Sequence, residues 1–201
     1  FTTTTTGVEV SGTITTQTWT ADQSPYRVTD TITVPAGETL TIQAGVDVQF
    51  NADVPFVVDG AIRAYGTGGN SVRFRKGTAE AWGGVRISGS DSSSFVYTQI
   101  MHGNTTGDQG FQGGGLAVTS ADARLTMTNC TVSSNISDMG GGVSNAGTAV
   151  FTNCIFTENS SYGRGGGLYN TGTATLTHCT FAANVAAGDG GGIANEGTIS
   201  L

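Results

Sequence analysis

Residues 125–145 read LTMTNCTVSSNISDMGGGVSN, residues 149–170 read AVFTNCIFTENSSYGRGGGLYN and residues 174–195 read ATLTHCTFAANVAAGDGGGIAN. Laid one above another, they put Cys130, Cys154 and Cys179 in one column, Asn135, Asn159 and Asn184 in a second, and Asn145, Asn170 and Asn195 in a third. The first two columns step by 24 and then 25, and the third by 25 twice. Gly-Gly-Gly followed by an aliphatic residue begins at Gly113, Gly140, Gly165 and Gly190, in steps of 27, 25 and 25. Unrelated residue types that share one period mark a tandem array, and a period of this length is that of a solenoid turn.

Within the repeat the period is two, the signature of strands. Leu125, Met127, Cys130 and Val132 form an inward set, repeated as Ala149, Phe151, Cys154 and Phe156 and again as Ala174, Leu176, Cys179 and Phe181. Thr126, Thr128 and Thr131, with their counterparts Val150, Thr152, Ile155 and Thr175, Thr177, Thr180, face out. The phase changes between Met127 and Cys130, which requires one residue of bend, and Asn129, Asn153 and His178 occupy it.

Such a unit cannot bury its apolar row alone. Stacking unit on unit at about 4.8 Å does so and places like side chains in columns. The chain is therefore read as all-β, a single-stranded parallel β-helix or solenoid with about 25 residues per coil in the C-terminal half. An inward Asn column at a turn is a hydrogen-bonded ladder, with Asn104 placed at its head, and the glycines fill corners that exclude a Cβ. Phe156 and Phe181 stack in the same way.

The composition agrees. Of 201 residues, 32 are Gly and 33 Thr, and only 11% are charged, which disfavours helices and favours strands. The net charge of −7, with Lys76 the single lysine, excludes the electrostatic footprint of nucleic-acid binding. No run approaches the roughly 18 apolar residues of a bilayer span, so no membrane insertion is expected.

The N-terminal half is less regular. Leu40, Ile42, Val46 and Val48 read as one coil, Phe56, Val58, Ile62 and Ala64 as the next, then Val72, Phe74, Val85 and Ile87, with Val96, Ile100 and Met101 leading to Asn104. Aligning Gly45, Gly60 and Gly84 gives an outward column Asp47, Arg63, Arg86, Ala117, Ser144, Tyr169, Ala194 and a cross-coil ion pair between Asp47 and Arg63. Residues 1–36 are expected to form an irregular cap over a β-helix running through 37–201, with regular repeats over 113–201.

The Gly-Gly-Gly-aliphatic segments, with Phe156-Thr-Glu-Asn159, Phe181-Ala-Ala-Asn184 and Val132-Ser-Ser-Asn135, resemble the paired GGA-aliphatic and FxxN repeats of polymorphic outer membrane proteins. Val34-Pro-Ala-Gly37, Leu40-Thr-Ile42 and Trp82-Gly-Gly84 resemble the opening coils of bacterial right-handed β-helix surface proteins. The resemblance implies a right-handed helix, an extracellular or cell-surface address with the signal removed, and an adhesin or passenger role.

Glycan-cleaving chemistry needs paired carboxylates, and the densest acidic group is Asp47, Asp53 and Asp59. Arg73, Arg75 and Lys76 are candidate contacts for an acidic glycan, alternating with inward Val72 and Phe74. Cys130, Cys154 and Cys179 in one column would stand about 4.8 Å apart, beyond the roughly 3.8 Å between Cβ atoms of a disulfide, so free buried thiols are expected. Neither a catalytic set, a metal site nor a cofactor is expected. A flat outward Thr array about Thr128, Thr152 and Thr177 also fits an ice-binding surface, against the simpler reading that Thr is a good polar strand former.

The chain stops part-way round a coil at Ile199 and Leu201, and Phe1 with Thr2, Thr3, Thr4, Thr5 and Thr6 forms a strand-prone start. The first expectation is thus a non-enzymatic extracellular structural protein that stacks head to tail with itself into a filament or surface assembly. The alternatives are an adhesin-type module that binds a surface glycan or host protein through Thr105 to Gln112 and Asp91 to Ser94, and a glycan-active β-helix enzyme.

Overall fold

The computed structural model describes residues 7–107 and 112–201. Its strands stack in eight levels. The first is β1 (Val8–Thr13) and β2 (Gln17–Trp19), and the second is β3 (Tyr26–Val34) and β4 (Thr39–Gln43). The next three are β5 (Asp47–Phe50), β6 (Phe56–Val58) and β7 (Ala61–Tyr65), then β8 (Val72–Lys76), β9 (Val85–Ile87) and β10 (Ser92–Val96), then β11 (Thr98–Met101), β12 (Leu116–Val118) and β13 (Arg124–Thr128). From the sixth level a short corner strand is added: β14 (Thr131–Ser133), β15 (Ile136–Ser137), β16 (Val143–Asn145) and β17 (Thr148–Thr152). The pattern repeats as β18 (Ile155–Thr157), β19 (Ser160–Ser161), β20 (Leu168–Asn170) and β21 (Thr173–Thr177), and as β22 (Thr180–Ala182), β23 (Val185–Ala186), β24 (Ile193–Asn195) and β25 (Thr198–Ser200).

All pairings between these strands are parallel, each strand with its equivalent one level away, so the chain is a parallel β-solenoid of about seven turns. Face I carries β5, β8, β11, β14, β18 and β22, face II carries β6, β9, β12, β16, β20 and β24, and β3 bends to serve both. Face III runs β2-β4-β7-β10-β13-β17-β21-β25. The stretch read as a cover contributes, from Gly7 onward, strands in register with the level above: Val8 pairs with Tyr26 and Thr18 with Thr41. Phe1 to Thr6 lie outside the described residues.

Along the inward column Trp19, Ile42, Ala64, Phe95, Met127, Phe151, Leu176 the successive sequence steps are 23, 22, 31, 32, 24 and 25. The regular later steps are the period seen in the sequence. The two long steps place their extra residues at corners, above all between faces I and II, where 77–84 and 102–115 intervene between strands. One apolar core runs through the rod from Ile14 to Leu176. Phe156 lies parallel to Phe181 at 4.5 Å between ring centres, and Trp82 stacks on Phe50 at 4.2 Å, close to the separations of favourable aromatic pairs. The expected inward sets of the three late coils all point into this core. Where the fourth level passes into the fifth, Val96 and Met101 face outward and Phe95, Thr98 and Ile100 fill the interior instead, because the strand phase is set by the bend at Tyr97.

That bend recurs. Tyr97, Asn129, Asn153 and His178 have φ of 44, 55, 52 and 53°, and His102, Ser134, Glu158 and Ala183 have φ of 62, 55, 56 and 53°. Each late coil thus carries two left-handed residues that bracket a three-residue strand on face I. The first turns the phase as the sequence required; the second aims the following Asn inward.

Candidate functional site

The Asn ladder is built one bond at a time. Asn135 donates from Nδ2 and from its backbone N to Asn159 Oδ1, at 2.9 and 3.1 Å, and Asn159 does the same to Asn184 Oδ1, at 3.0 and 3.0 Å. Each Nδ2 also reaches a strand carbonyl one level away: Ile100 from Asn135, Val132 from Asn159 and Phe156 from Asn184. Asn104 does not head this column. Gly103 takes that place and donates its N–H to Asn135 Oδ1 at 2.8 Å, while Asn104 aligns with Ile136. The step from Gly103 to Asn135 is 32 residues, because the fifth level carries its excess residues after this point, so the period of the late coils does not locate the head of the column. Asn145, Asn170 and Asn195 form a second ladder that the sequence showed as a period without a role, with Nδ2 to Oδ1 bonds of 2.7 Å at both steps.

Cys130, Cys154 and Cys179 are free and stand in one column that Thr98 continues, each Sγ donating to a carbonyl such as Phe95 O or Met127 O. Ile199 pairs with Ala174 and packs on the core, and Leu201 is exposed.

The charged residues are arranged differently from expectation. Asp47 stands beside Arg73, and Gln49 beside Arg75, on face I, whereas Arg63 lies on face III between Thr41 and Ser94. The expected pair with Arg63 is therefore absent, and Asp47 is held instead by Arg75, Nε to Oδ1 at 2.9 Å and Nη2 to Oδ2 at 2.7 Å, with Arg73 Nε at 3.9 Å. The outward column holds from Arg86 through Ala117, Ser144, Tyr169 and Ala194, but it is preceded by Val57, Thr33 and Thr13 and not by Arg63 and Asp47. The three glycines used to align the early coils occupy three different corners. Gly45 has φ +84° between faces III and I, Gly84 has φ +71° between I and II, and Gly60 lies between II and III, where a Cβ would meet Pro35 O at 2.2 Å.

Asp47, Asp53 and Asp59 are also dispersed. Asp47 is on face I, Asp53 at the corner leading to face II, and Asp59 at the corner leading to face III, where it accepts a bond from Ser88 Oγ. Among the described residues no three His, Cys, Asp or Glu converge as metal ligands. The segment Asp91 to Ser94 enters strand β10, with Ser93 buried and accepting a bond from Ile62 N, and Thr105 to Gln112 lies partly outside the described residues.

What face I does bring together is positive charge. Arg27, Arg73, Arg75 and Lys76, four of the eight Lys and Arg residues, lie on it within three successive levels, and His102 adjoins them on the next. Arg73 and Arg75 keep 47% and 37% of their side chains exposed. Burial, together with the charges of Lys76 and Arg75, holds the His102 imidazole below its ordinary pKa. Burial raises the Asp47 carboxyl, but hydrogen bonds from Arg75 and Gln49 and the nearby Arg75 and Arg73 charges outweigh it, and the group titrates below the usual carboxylate range.

A family model described as the right handed beta helix region matches residues 50–200. The chain belongs to the right-handed β-helix family. The match spans all the stacked levels from the end of β5 to β25, so the handedness expected from resemblance is that of the family. No curated protein and no solved structure matches the chain.

Proposed function

We propose that this right-handed β-helix is a non-catalytic surface module of the adhesin or passenger kind, a stiff rod that presents face I to an acidic polysaccharide outside the cell. The observation that carries this reading is the gathering of Arg27, Arg73, Arg75 and Lys76 on one face of a chain whose net charge is −7. A parallel ladder sets Arg73 and Arg75 about 6.6 Å apart along β8 and Arg27 two levels, about 9.6 Å, from Arg75 across Gln49, a scale on which a polyanion is met repeatedly. The likeness of the repeats to those of polymorphic outer membrane proteins supports the same address.

The test is retention of the purified chain on an immobilised polyuronate and on a neutral glucan of equal length. Retention on the polyuronate alone, falling steeply with salt and lost in Arg73→Ala with Lys76→Ala, is the expected result. Equal behaviour on both polymers overturns it. Arg75 is left in place because it holds Asp47.

A second reading, self-stacking, is favoured by the last two levels, where Leu176, Cys179, Phe181 and Ile193 line an apolar recess of about 350 Å³. Light scattering at rising concentration tests it: a mass that stays monomeric rejects it.

A further inference from the structure

On face III the last four strands, β13, β17, β21 and β25, pair in unbroken register, so their outward side chains stand in three columns. Eight of the eleven outward positions are Thr, and the other three are Arg124, Val150 and Ser200. None of the eleven is buried. We propose that this face binds ice, holding the ordered water of a crystal surface against its threonines. The inference uses no residue of face I and stands apart from the reading of the chain as a polyanion-binding module.

Regularity is the first support. A parallel ladder repeats its outward groups at about 4.8 Å from level to level and about 6.6 Å along a strand. Hydroxyls therefore recur at fixed intervals in two directions, as the oxygen atoms of an ice face do. Strand preference accounts for threonines singly, but on face I the outward positions of β14, β18 and β22 mix Ile155 and Ala182 with threonines and a serine. The uniform array is confined to face III. The second support is that none of the eight threonine hydroxyls has a hydrogen-bond partner among the described residues, so water satisfies them. Immobilising a bridging water from the liquid costs up to about 2 kcal/mol. At an ice surface the water is already fixed, so that cost falls away and the array prefers the solid. The methyl group beside each hydroxyl adds apolar contact. Charge is the third support. Arg124, at the edge of the array, is the single charged side chain among the eleven positions, and no strongly hydrated ammonium stands there to hold liquid water against the face. A crystalline polysaccharide also repeats in two directions, but its sugar rings present apolar faces that call for exposed aromatic side chains, and none of the eleven positions carries one.

The experiment grows ice slowly from a solution of the full chain and measures the fraction of protein carried into the crystal, together with the gap between the melting and freezing temperatures of the solution. Enrichment in ice over an inert protein of equal mass, with a measurable gap, is the expected result. Each contact is weak and many act at once, so one bulky group at the centre of the array separates the whole face from the lattice. Thr175→Tyr is therefore expected to cut both readouts about tenfold or more. Tyr favours strands and the position is not buried, so the melting temperature of the protein is expected to stay as in the parent, which separates lost recognition from lost folding. Thr157→Tyr, on the outward side of face I, is expected to leave ice binding intact and so assigns the loss to face III. Arg73→Ala with Lys76→Ala is expected to leave it intact as well, so a failure of the polyanion reading does not imitate a failure here. Exclusion of the parent chain from ice, equal incorporation of parent and Thr175→Tyr, or retention on crystalline cellulose without enrichment in ice overturns the proposal.

Discussion

Asp47 and Arg75 meet across one level of the rod with both carboxylate oxygens engaged, Oδ1 by Nε at 2.9 Å and Oδ2 by Nη2 at 2.7 Å. The Asp47 residue is 7% exposed and its carboxylate also accepts from Gln49 Nε2 at 2.7 Å. A bidentate pair of this kind fixes the guanidinium plane and holds Arg75 and Arg73 on face I in spite of their mutual repulsion.

Because the folded carboxyl titrates below its unfolded value, this pair adds stability above about pH 4 and loses it as pH falls through the folded pKa. Asp47→Asn is therefore expected to lower thermal stability at pH 7, leaving Arg75 without its counter-charge. The gap to the parent chain narrows as the pH drops below 4. Melting curves at pH 7, 5 and 3 check this, and a gap that stays constant across the series would sink it.

The Asn135-Asn159-Asn184 ladder gives the Asn159 side chain hydrogen bonds on both sides, to the level before and the level after. Its Oδ1 receives two bonds from Asn135, and its Nδ2 is shared between Asn184 and Val132. Truncation leaves buried donors and acceptors unmet on both adjacent levels. Asn159→Ala is expected to cost about 3 kcal/mol, or about 10 °C in melting temperature. A drop of only a degree or two would show that water replaces the ladder.

The columns of Cys and Asn were legible in the sequence because the late levels keep one length, so equal spacing in sequence became equal height in space. The early levels advance in steps of 23, 22, 31 and 32, and there the glycines misled: Gly45, Gly60 and Gly84 looked like one corner and are three. A usable signal was present. Asp47-Val-Gln49 and Arg73-Phe-Arg75 share an outward-inward-outward pattern with large apolar neighbours, and matching that pattern instead of the glycines pairs the residues correctly. That Arg27 falls two levels from Arg75 was not legible, since it depends on where connections of unequal length land.

Left-handed backbone at non-glycine residues offers a stabilising change. Ala183 has φ 53° and an exposed side chain, a conformation that costs an L-residue about 1–2 kcal/mol, against an entropic cost for Gly of less than about 1. Ala183→Gly is expected to stabilise by about 0.5–1 kcal/mol, while Gly141→Ala, whose Cβ would come within 2.2 Å of Ser160 O, is expected to destabilise strongly. Chemical denaturation of the two variants reads both signs, and a loss of stability in Ala183→Gly contradicts the account.

The thiols give a test of the stacking that needs no change of sequence. Reactivity follows thiolate fraction and access. Cys130 and Cys154 are buried, and the hydrogen bond that the Cys154 thiol donates to Cys130, then burial, pushes the Cys154 thiol well above its ordinary range. Cys179 is half-buried, and burial raises it too. In the native chain a thiol reagent is expected to modify Cys179 first and slowly, with Cys130 and Cys154 reacting only after unfolding. A mild oxidant is expected to form no bond between Cys130 and Cys154, whose Cβ atoms stand about 4.8 Å apart in a parallel ladder where a disulfide prefers about 3.8 Å. Mass spectrometry after native labelling distinguishes the three positions; equal labelling of all three would mean that the column is not closed by its neighbours, and the solenoid core with it.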